Sequence, residues 1–415
     1  MNGNTPMHTC RTCFSYLILF LLILPLVGCG KKQEIPPQEK IKNLKAQVKD
    51  TPDDPEAHYA LGVMYLVTEN YAEAVNQFKD TVRLKKDHAP AYRDMAVAYY
   101  FSNQLDETEK WLKKAYGLNT KDPSPLISMG GLSLALGHNV EATKYLSTAL
   151  VKEGNHLDTH INMGAAFTNL TQNEKALKQL QKALELDENS APAHNNMGVL
   201  NEKTGQRIKA IEEFNKAIKA DPKYPMPHYN LGAIYAKEKK YQQAISEWKK
   251  AAALAPKDSF AHAALGWAYA KLDNPKDALS EYNIALQINP SDALSLGAVG
   301  KMYLEEGRVS EATDALEKAV NLKLDYGEAY YNLGRAYDTA GDGTKAIINM
   351  IAAQKVFAFK KNASMKENTE KNIKTFYDKY KLSQKDFAGI AMPAILQEAI
   401  KPPPKKKNAP AAPAE

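Results

Sequence analysis

Small residues return every 34 positions along most of this chain, an interval that leaves little freedom in what the chain can fold into. Glycine stands at 62, 130, 164, 198, 232, 266, 300 and 334, and Ala96 fills the one missing step. Twelve residues after each comes alanine: Ala74, Ala142, Ala176, Ala210, Ala244, Ala278, Ala312 and Ala346, with Thr108 the exception. Seven further on alanine returns, from Ala115 through Ala353, with Thr81 the exception. The residue before each glycine is Leu, Met or Val, and the one three after it is usually aromatic, as at Tyr65, Tyr99, Phe167, Tyr235, Tyr269, Tyr303 and Tyr337. Nine units run from Pro55 to Lys360 without an insertion. A unit this short cannot bury its apolar face alone, so stacking must supply the core. Length therefore counts repeats, and the two or three domains that 415 residues would ordinarily imply are not required.

Small residues at one slot on each of two helices let the helices approach closely, and Pro222, Pro256 and Pro290 recur where the second helix must stop. The pattern resembles the tetratricopeptide repeat family. That resemblance implies an all-α, right-handed superhelix (an α-solenoid) of nine helix–turn–helix repeats over residues 55–360, with the first helix of each repeat lining a concave face. Both ends read as caps. Ile41, Leu44 and Val48 form a half-repeat within residues 29–54. Within 361–400, Ile373, Phe376, Tyr377 and Tyr380 follow helical spacing opposite Lys366, Glu370, Lys371, Lys374 and Lys379. A second capping helix is expected from Ser383 through Phe387, Ile390 and Ala394. Residues 401–415 are Pro/Ala/Lys low complexity and are expected to be disordered.

All three cysteines fall in the first 29 residues, which rules out a disulfide framework. Phe14 to Val27 is an apolar run too short to span a bilayer comfortably, since about 20 residues are needed. It fits the core of a secretory signal. Leu26-Val27-Gly28-Cys29 closes the run and resembles a bacterial lipobox. The resemblance implies a signal peptide over residues 1–28 and a mature chain that starts at Cys29, lipidated on its thiol. Cys10 and Cys13 have metal or redox half-site spacing but lie on the segment that would be removed. Gly30 after the cysteine, by the rule for enteric bacteria, implies the outer membrane's periplasmic face, with an outer-surface position left open.

The charge is mild, +6 from 54 basic and 48 acidic residues, and gives no reason to expect a nucleic-acid binder. Catalysis has no candidate constellation. His58, His160, His194, His228 and His262 occupy one repeat slot, shared with Tyr92 and Tyr330, and so read as packing. No histidine makes a metal-ligand spacing, and no cofactor, metal or small-molecule substrate is expected. Gly341-Asp342-Gly343-Thr344-Lys345 resembles a phosphate loop faintly but falls on an interhelical turn and lacks the preceding strand.

What remains is a surface for a partner. The sixth slot of the repeats holds Ala60, Asp94, Ser128, Asn162, Asn196, Asn230, Ala264, Ala298 and Asn332. An amide both donates and accepts, which suits the main chain of an extended peptide. The row resembles the asparagine ladders of some repeat superhelices; asparagine as a structural hydrogen bonder at this edge is the other reading. Seven residues on stand Lys203, Lys237 and Lys271, either a basic row for an acidic partner or a solvated charge row. Trp267, Phe260, Met226 and Tyr229 point to the same face by slot, unless the carboxyl-terminal helix folds back over them. No repeat pairs Lys in the fifth slot with Asn in the ninth, so a carboxylate clamp for chaperone tails is not expected. The reading is a lipid-anchored adaptor of the bacterial cell envelope that binds protein or extended peptide in its groove. Its rivals are an accessory lipoprotein of a secretion, pilus or exopolysaccharide machine, and a glycan-binding or enzymatic groove.

Overall fold

The computed structural model describes residues 36–152 and 155–387; Cys29, the apolar run before it and the tail beyond Phe387 lie outside them. Every regular element among the described residues is helical. A first helix, α1 (Pro37–Asp50), precedes nine hairpins: α2 (Pro55–Val67) with α3 (Tyr71–Leu84), α4 (Ala89–Phe101) with α5 (Leu105–Leu118), α6 (Ser124–Ala135) with α7 (Asn139–Lys152), α8 (Leu157–Asn169) with α9 (Asn173–Leu186), and α10 (Ala191–Lys203) with α11 (Arg207–Ala220). The series continues with α12 (Met226–Lys237) and α13 (Tyr241–Leu254), α14 (Ser259–Lys271) and α15 (Pro275–Ile288), α16 (Ala293–Glu305) and α17 (Val309–Leu322), then α18 (Gly327–Thr339) and α19 (Gly343–Phe359). Helix α20 (Ala363–Tyr380) and a 3-10 turn (Gln384–Phe387) follow. The fold is an all-α solenoid.

The repeated glycine has a steric cause. An ideal Cβ at Gly198 would lie 2.6 Å from the Phe214 ring, and at Gly164 it would lie 2.6 Å from Leu180. Sixteen residues after the small slot, the second helix of the same hairpin places a large buried side chain directly on the first helix: Phe78, Leu112, Leu146, Leu180, Phe214, Leu316 or Met350. The alanines at the other two slots, such as Ala176 and Ala183, are fully buried at the seams.

The turn inside each hairpin is equally regular. Glu69, Asn103, Gly137, Thr171, Gly205, Lys239, Asp273, Gly307 and Gly341 all have φ between 56° and 83°, the left-handed region. The next residue's N–H then reaches the carbonyl five back, as from Asn70 to Tyr65 at 2.8 Å and from Asp342 to Tyr337 at 2.9 Å, closing a Schellman motif.

The chain divides into two compact units on either side of the Ala233–Ile234 bond, within α12. The first unit's core joins Leu66, Phe78, Met95, Tyr99, Leu112, Leu132 and Leu146 across successive hairpins. At its start Ile41 is buried against Leu61 and Met64, with Leu44 and Val48 alongside. The second unit's core joins Leu316, Leu333, Ile347, Met350 and Val356 to Ile373 and Phe376 of α20. Helix α20 is held at the polar edge too, since Lys379 pairs with Asp338 at 2.7 Å and Tyr380 donates to the Asp338 carbonyl at 3.0 Å. The capping helix expected from Ser383 is a single 3-10 turn as far as Phe387; Ile390 and Ala394 lie outside the described residues.

Candidate partner-binding face

A helix turns about 100° per residue, so slots 2, 6, 9 and 13 of each first helix share one stripe, away from the glycine slot that packs on the second helix. In α8 the stripe is Asp158, Asn162, Ala165 and Asn169, and in α10 it is Pro192, Asn196, Val199 and Lys203. In α14 it is Phe260, Ala264, Trp267 and Lys271, in α16 Leu294, Ala298, Lys301 and Glu305, and in α18 Glu328, Asn332, Arg335 and Thr339.

The amide row divides between two uses. Asn230 is buried and donates to Asn195 Oδ1 at 2.9 Å; Asn195 donates to Asn196 Oδ1 at 3.3 Å; Asn196 Nδ2 points to the Ile161 carbonyl at 3.5 Å. This relay stitches three consecutive repeats together. It draws in Asn195, a fifth-slot residue that the sixth-slot pattern did not single out. Asn162 differs: it is 9% exposed, and its Nδ2 has no hydrogen-bond partner among the described residues. Asn332 is buried as well, with Arg335 Nη1 at 3.5 Å from its Oδ1.

The basic row also divides. Lys203 Nζ reaches back to the end of α8, 3.4 Å from the Thr168 carbonyl and 3.2 Å from Asn169 Oδ1. There it meets the negative end of a helix dipole, while desolvation holds its pKa below the ordinary lysine value. Lys237 and Lys271 are exposed, and Lys271 lies 5.5 Å from the centre of the Trp267 ring. Trp267 is half-buried, edge-to-face on Tyr241 at 5.7 Å and on Trp248 at 6.4 Å. Tyr229 and Phe260 are half-buried, whereas Met226 is 3% exposed and so belongs to the core rather than to a displayed surface. Helix α20 does not fold over Trp267. It meets Tyr331, whose hydroxyl accepts from Asn372 at 2.9 Å and Asn368 at 3.2 Å.

Near the start of the chain the stripe carries a buried carboxylate. Asp94 is fully buried between Arg93 Nε at 2.7 Å and the Tyr59 hydroxyl at 2.7 Å, one repeat away. Burial, together with the adjacent Asp94 charge, pushes the Tyr59 phenol well above its usual range.

The histidine slot is structural in detail. His58, His160, His194 and His262 each place Nδ1 2.6–2.8 Å from Gln77, Gln179, Glu213 and Glu281, nineteen residues on in the same hairpin. The outer nitrogen of His58 and of His194 meets the carbonyl six residues back, a contact that Tyr92 makes through its hydroxyl. Gly341 supplies the left-handed turn residue, and the Asp342 carboxylate caps α19 by accepting from Lys345 N at 3.0 Å, so an acid occupies the place a phosphate would need. Among the described residues, no three His, Cys, Asp or Glu side chains are grouped to hold a metal ion. No described helix is long and apolar enough to cross a membrane.

A family model described as "TPR repeat" matches residues 164–205, 208–239 and 300–341. Two models described as "Tetratricopeptide repeat" match residues 225–258 with 259–292, and residues 41–89. Together the three span more than half of the chain. No curated protein matches it. Among solved structures, the Cut9–Hcn1 hetero-tetramer of APC/C is similar over 87% of this chain and 80% of that one, at 15% identity and a TM-score of 0.50, a likeness of fold. The pilF protein of Pseudomonas aeruginosa is similar over 52% of this chain and 97% of its own, at 19% identity and a TM-score of 0.48. YrrB, described as a TPR protein with an unusual peptide-binding site, is similar over 46% and 97%, at 22% identity and a TM-score of 0.39.

Proposed function

This chain belongs to the tetratricopeptide repeat family, and we propose that it is a cell-envelope adaptor that holds an extended protein segment against the stripe on its first helices. The observation that carries this reading is Asn162. An unpaired buried amide donor costs about 1–3 kcal/mol, so Asn162 Nδ2, which is itself enclosed, is the stripe atom that gains most from a small side-chain rearrangement bringing it to a partner's main-chain carbonyl. Its neighbour on the stripe, Ala165, is small and leaves room beside it, whereas the Asn169 amide already donates to Asn139 Oδ1 at 3.0 Å and accepts from Lys203. A main chain offers the same carbonyl whatever its side chains, so this contact supports capture without sequence readout.

The lipobox supports a membrane tether. A lipid on Cys29 would leave eight residue steps to Pro37, at most about 28 Å when fully extended, so α1 would stand close to the membrane surface. An outer-membrane, periplasm-facing position is the placement proposed. Cys29→Ala should release the protein from the membrane fraction or leave it unprocessed; a lipidated, membrane-bound variant would refute the tether. For the groove, Asn162→Ala should weaken capture of a partner at least fivefold while circular dichroism stays unchanged. Undiminished capture would return Asn162 to a purely structural role.

A further inference from the structure

The first three repeats and the last three carry different chemistry on this stripe. In the first unit the ninth and thirteenth slots of α2, α4 and α6 are Val63 and Val67, Val97 and Phe101, Gly131 and Ala135, all uncharged. In the second unit the corresponding pairs of α14, α16 and α18 are Trp267 and Lys271, Lys301 and Glu305, Arg335 and Thr339. Lys271, Lys301 and Arg335 are exposed. Their attachments are loose. Lys271 rests over Trp267, Lys301 makes a surface pair with Glu305 at 3.4 Å (side chains 54% and 52% exposed), and Arg335 only grazes Asn332 at 3.5 Å. Exposed pairs of this kind are worth well under about 1 kcal/mol, so the cations are available to a stronger acceptor.

Beneath them the stripe is shallow, with half-buried Ala264 and Ala298 at the sixth slot of α14 and α16. Beside them the second slot offers apolar footing, half-buried Phe260 and Leu294, which is 44% exposed. Of the acids near the row, Glu305 makes only the surface pair with Lys301, and Asp338, beside the stripe, is taken by Lys379 and Tyr380. Three cations, one in each of three successive repeats, over small side chains and next to apolar ones, fit an acidic polypeptide with interspersed apolar residues. Glu305 and Glu328 stand exposed on the same stripe and interrupt the cations, so a segment whose acidic residues are spaced by apolar ones can avoid them, whereas a nucleic acid's continuous line of phosphates cannot.

We propose that the second unit's stripe over α14, α16 and α18 is the docking strip for an acidic, apolar-spaced segment of a partner protein. This rests on the peptide-binding reading above but not on Asn162 or on the amide relay, which lie in the first unit. It assigns Lys301 and Arg335 as the specificity-determining charges, with Trp267 and Leu294 as apolar footing.

The test uses the full chain and a fluorescein-labelled twelve-residue peptide that alternates Glu-Asp pairs with Leu, read by fluorescence anisotropy. Saturable binding in the micromolar range is expected, weakening at least tenfold between low and physiological salt. Lys301→Glu combined with Arg335→Glu should weaken it at least tenfold with an unchanged melting temperature, both positions being exposed. Asn162→Ala should leave this affinity within twofold; an equal loss there would mean that the probe sits on the first unit. The assignment fails if the charge-reversed protein binds the peptide as well as the parent does, if a Lys-Leu peptide of the same design binds equally, if a twelve-residue oligothymidine competes as effectively as unlabelled peptide, or if the parent shows no saturable binding at all.

Discussion

At the residue scale, one atom's worth of space governs the hairpin. Gly198→Ala would drive a methyl into the Phe214 ring, and overpacking of this kind costs about 1–3 kcal/mol. Urea denaturation should show that loss, whereas the same change at Gly205, where nothing lies within 4 Å, should cost only the strain of its φ of 80°. Thr171 is a β-branched residue held at φ 58° in a turn that uses glycine at four equivalent positions. Thr171→Gly should raise stability by about 1 kcal/mol, a gain set by the left-handed penalty of a side-chain-bearing residue. The asparagines separate in the same assay. Asn230→Ala strands the buried Asn195 carbonyl oxygen and should cost about 1–3 kcal/mol; Asn162→Ala removes a donor that bonds nothing described and should cost little or even stabilise. Equal losses at the two positions would show that Asn162 serves the fold as Asn230 does.

At the scale of the element, most of the architecture was legible because period and steric demand coincide. The glycine slot, the large residue sixteen on and the left-handed turn residue recur in phase, so the sequence carries the hairpin many times over. Contacts between repeats were harder to read. Lys203 to Asn169, Tyr59 to Asp94 and Asn230 to Asn195 join residues 34 or 35 apart, and nothing in the slot pattern says whether a polar group spends itself on a neighbouring repeat or faces outward. The asparagine row thus looked uniform in sequence and is not uniform in structure. The thirteenth-slot basic row does not point to Lys301 and Arg335 for a different reason: the charge moves to the ninth slot in the last two repeats. Seams between elements also set an alkaline limit. Burial pushes Tyr71, stacked on Phe101 at 5.1 Å, and Tyr326 up to about 12. A phenol whose folded pKa is raised contributes stability that is complete below its unfolded value near 10 and is lost as pH rises through the folded one. Stability should therefore fall between about pH 10 and 12, with a late phenolate fraction at 295 nm that titrates together with loss of helix. Phenolates that all titrate near 10 while the helices persist would contradict that coupling.

At the scale of the molecule, each unit repeats one motif, and the proposed function rests on what the stripe of its first helices displays. The mild net charge of +6 conceals a division: the ninth and thirteenth slots of the stripe are uncharged over the first three repeats and carry exposed cations over the last three. Such an arrangement suits a scaffold that grips main chain with one set of repeats and reads acidic character with another. The central claim is that partners meet the stripe and not the outer helices. A photo-crosslinking phenylalanine analogue placed at Trp267, and separately at Ile208, which is 76% exposed on a second helix, tests it in living cells. The account predicts a discrete protein adduct from position 267 that disappears when Lys301 and Arg335 are changed to Glu, with none from position 208. An adduct formed from 208 alone, or one from 267 that survives the charge reversal, would contradict it.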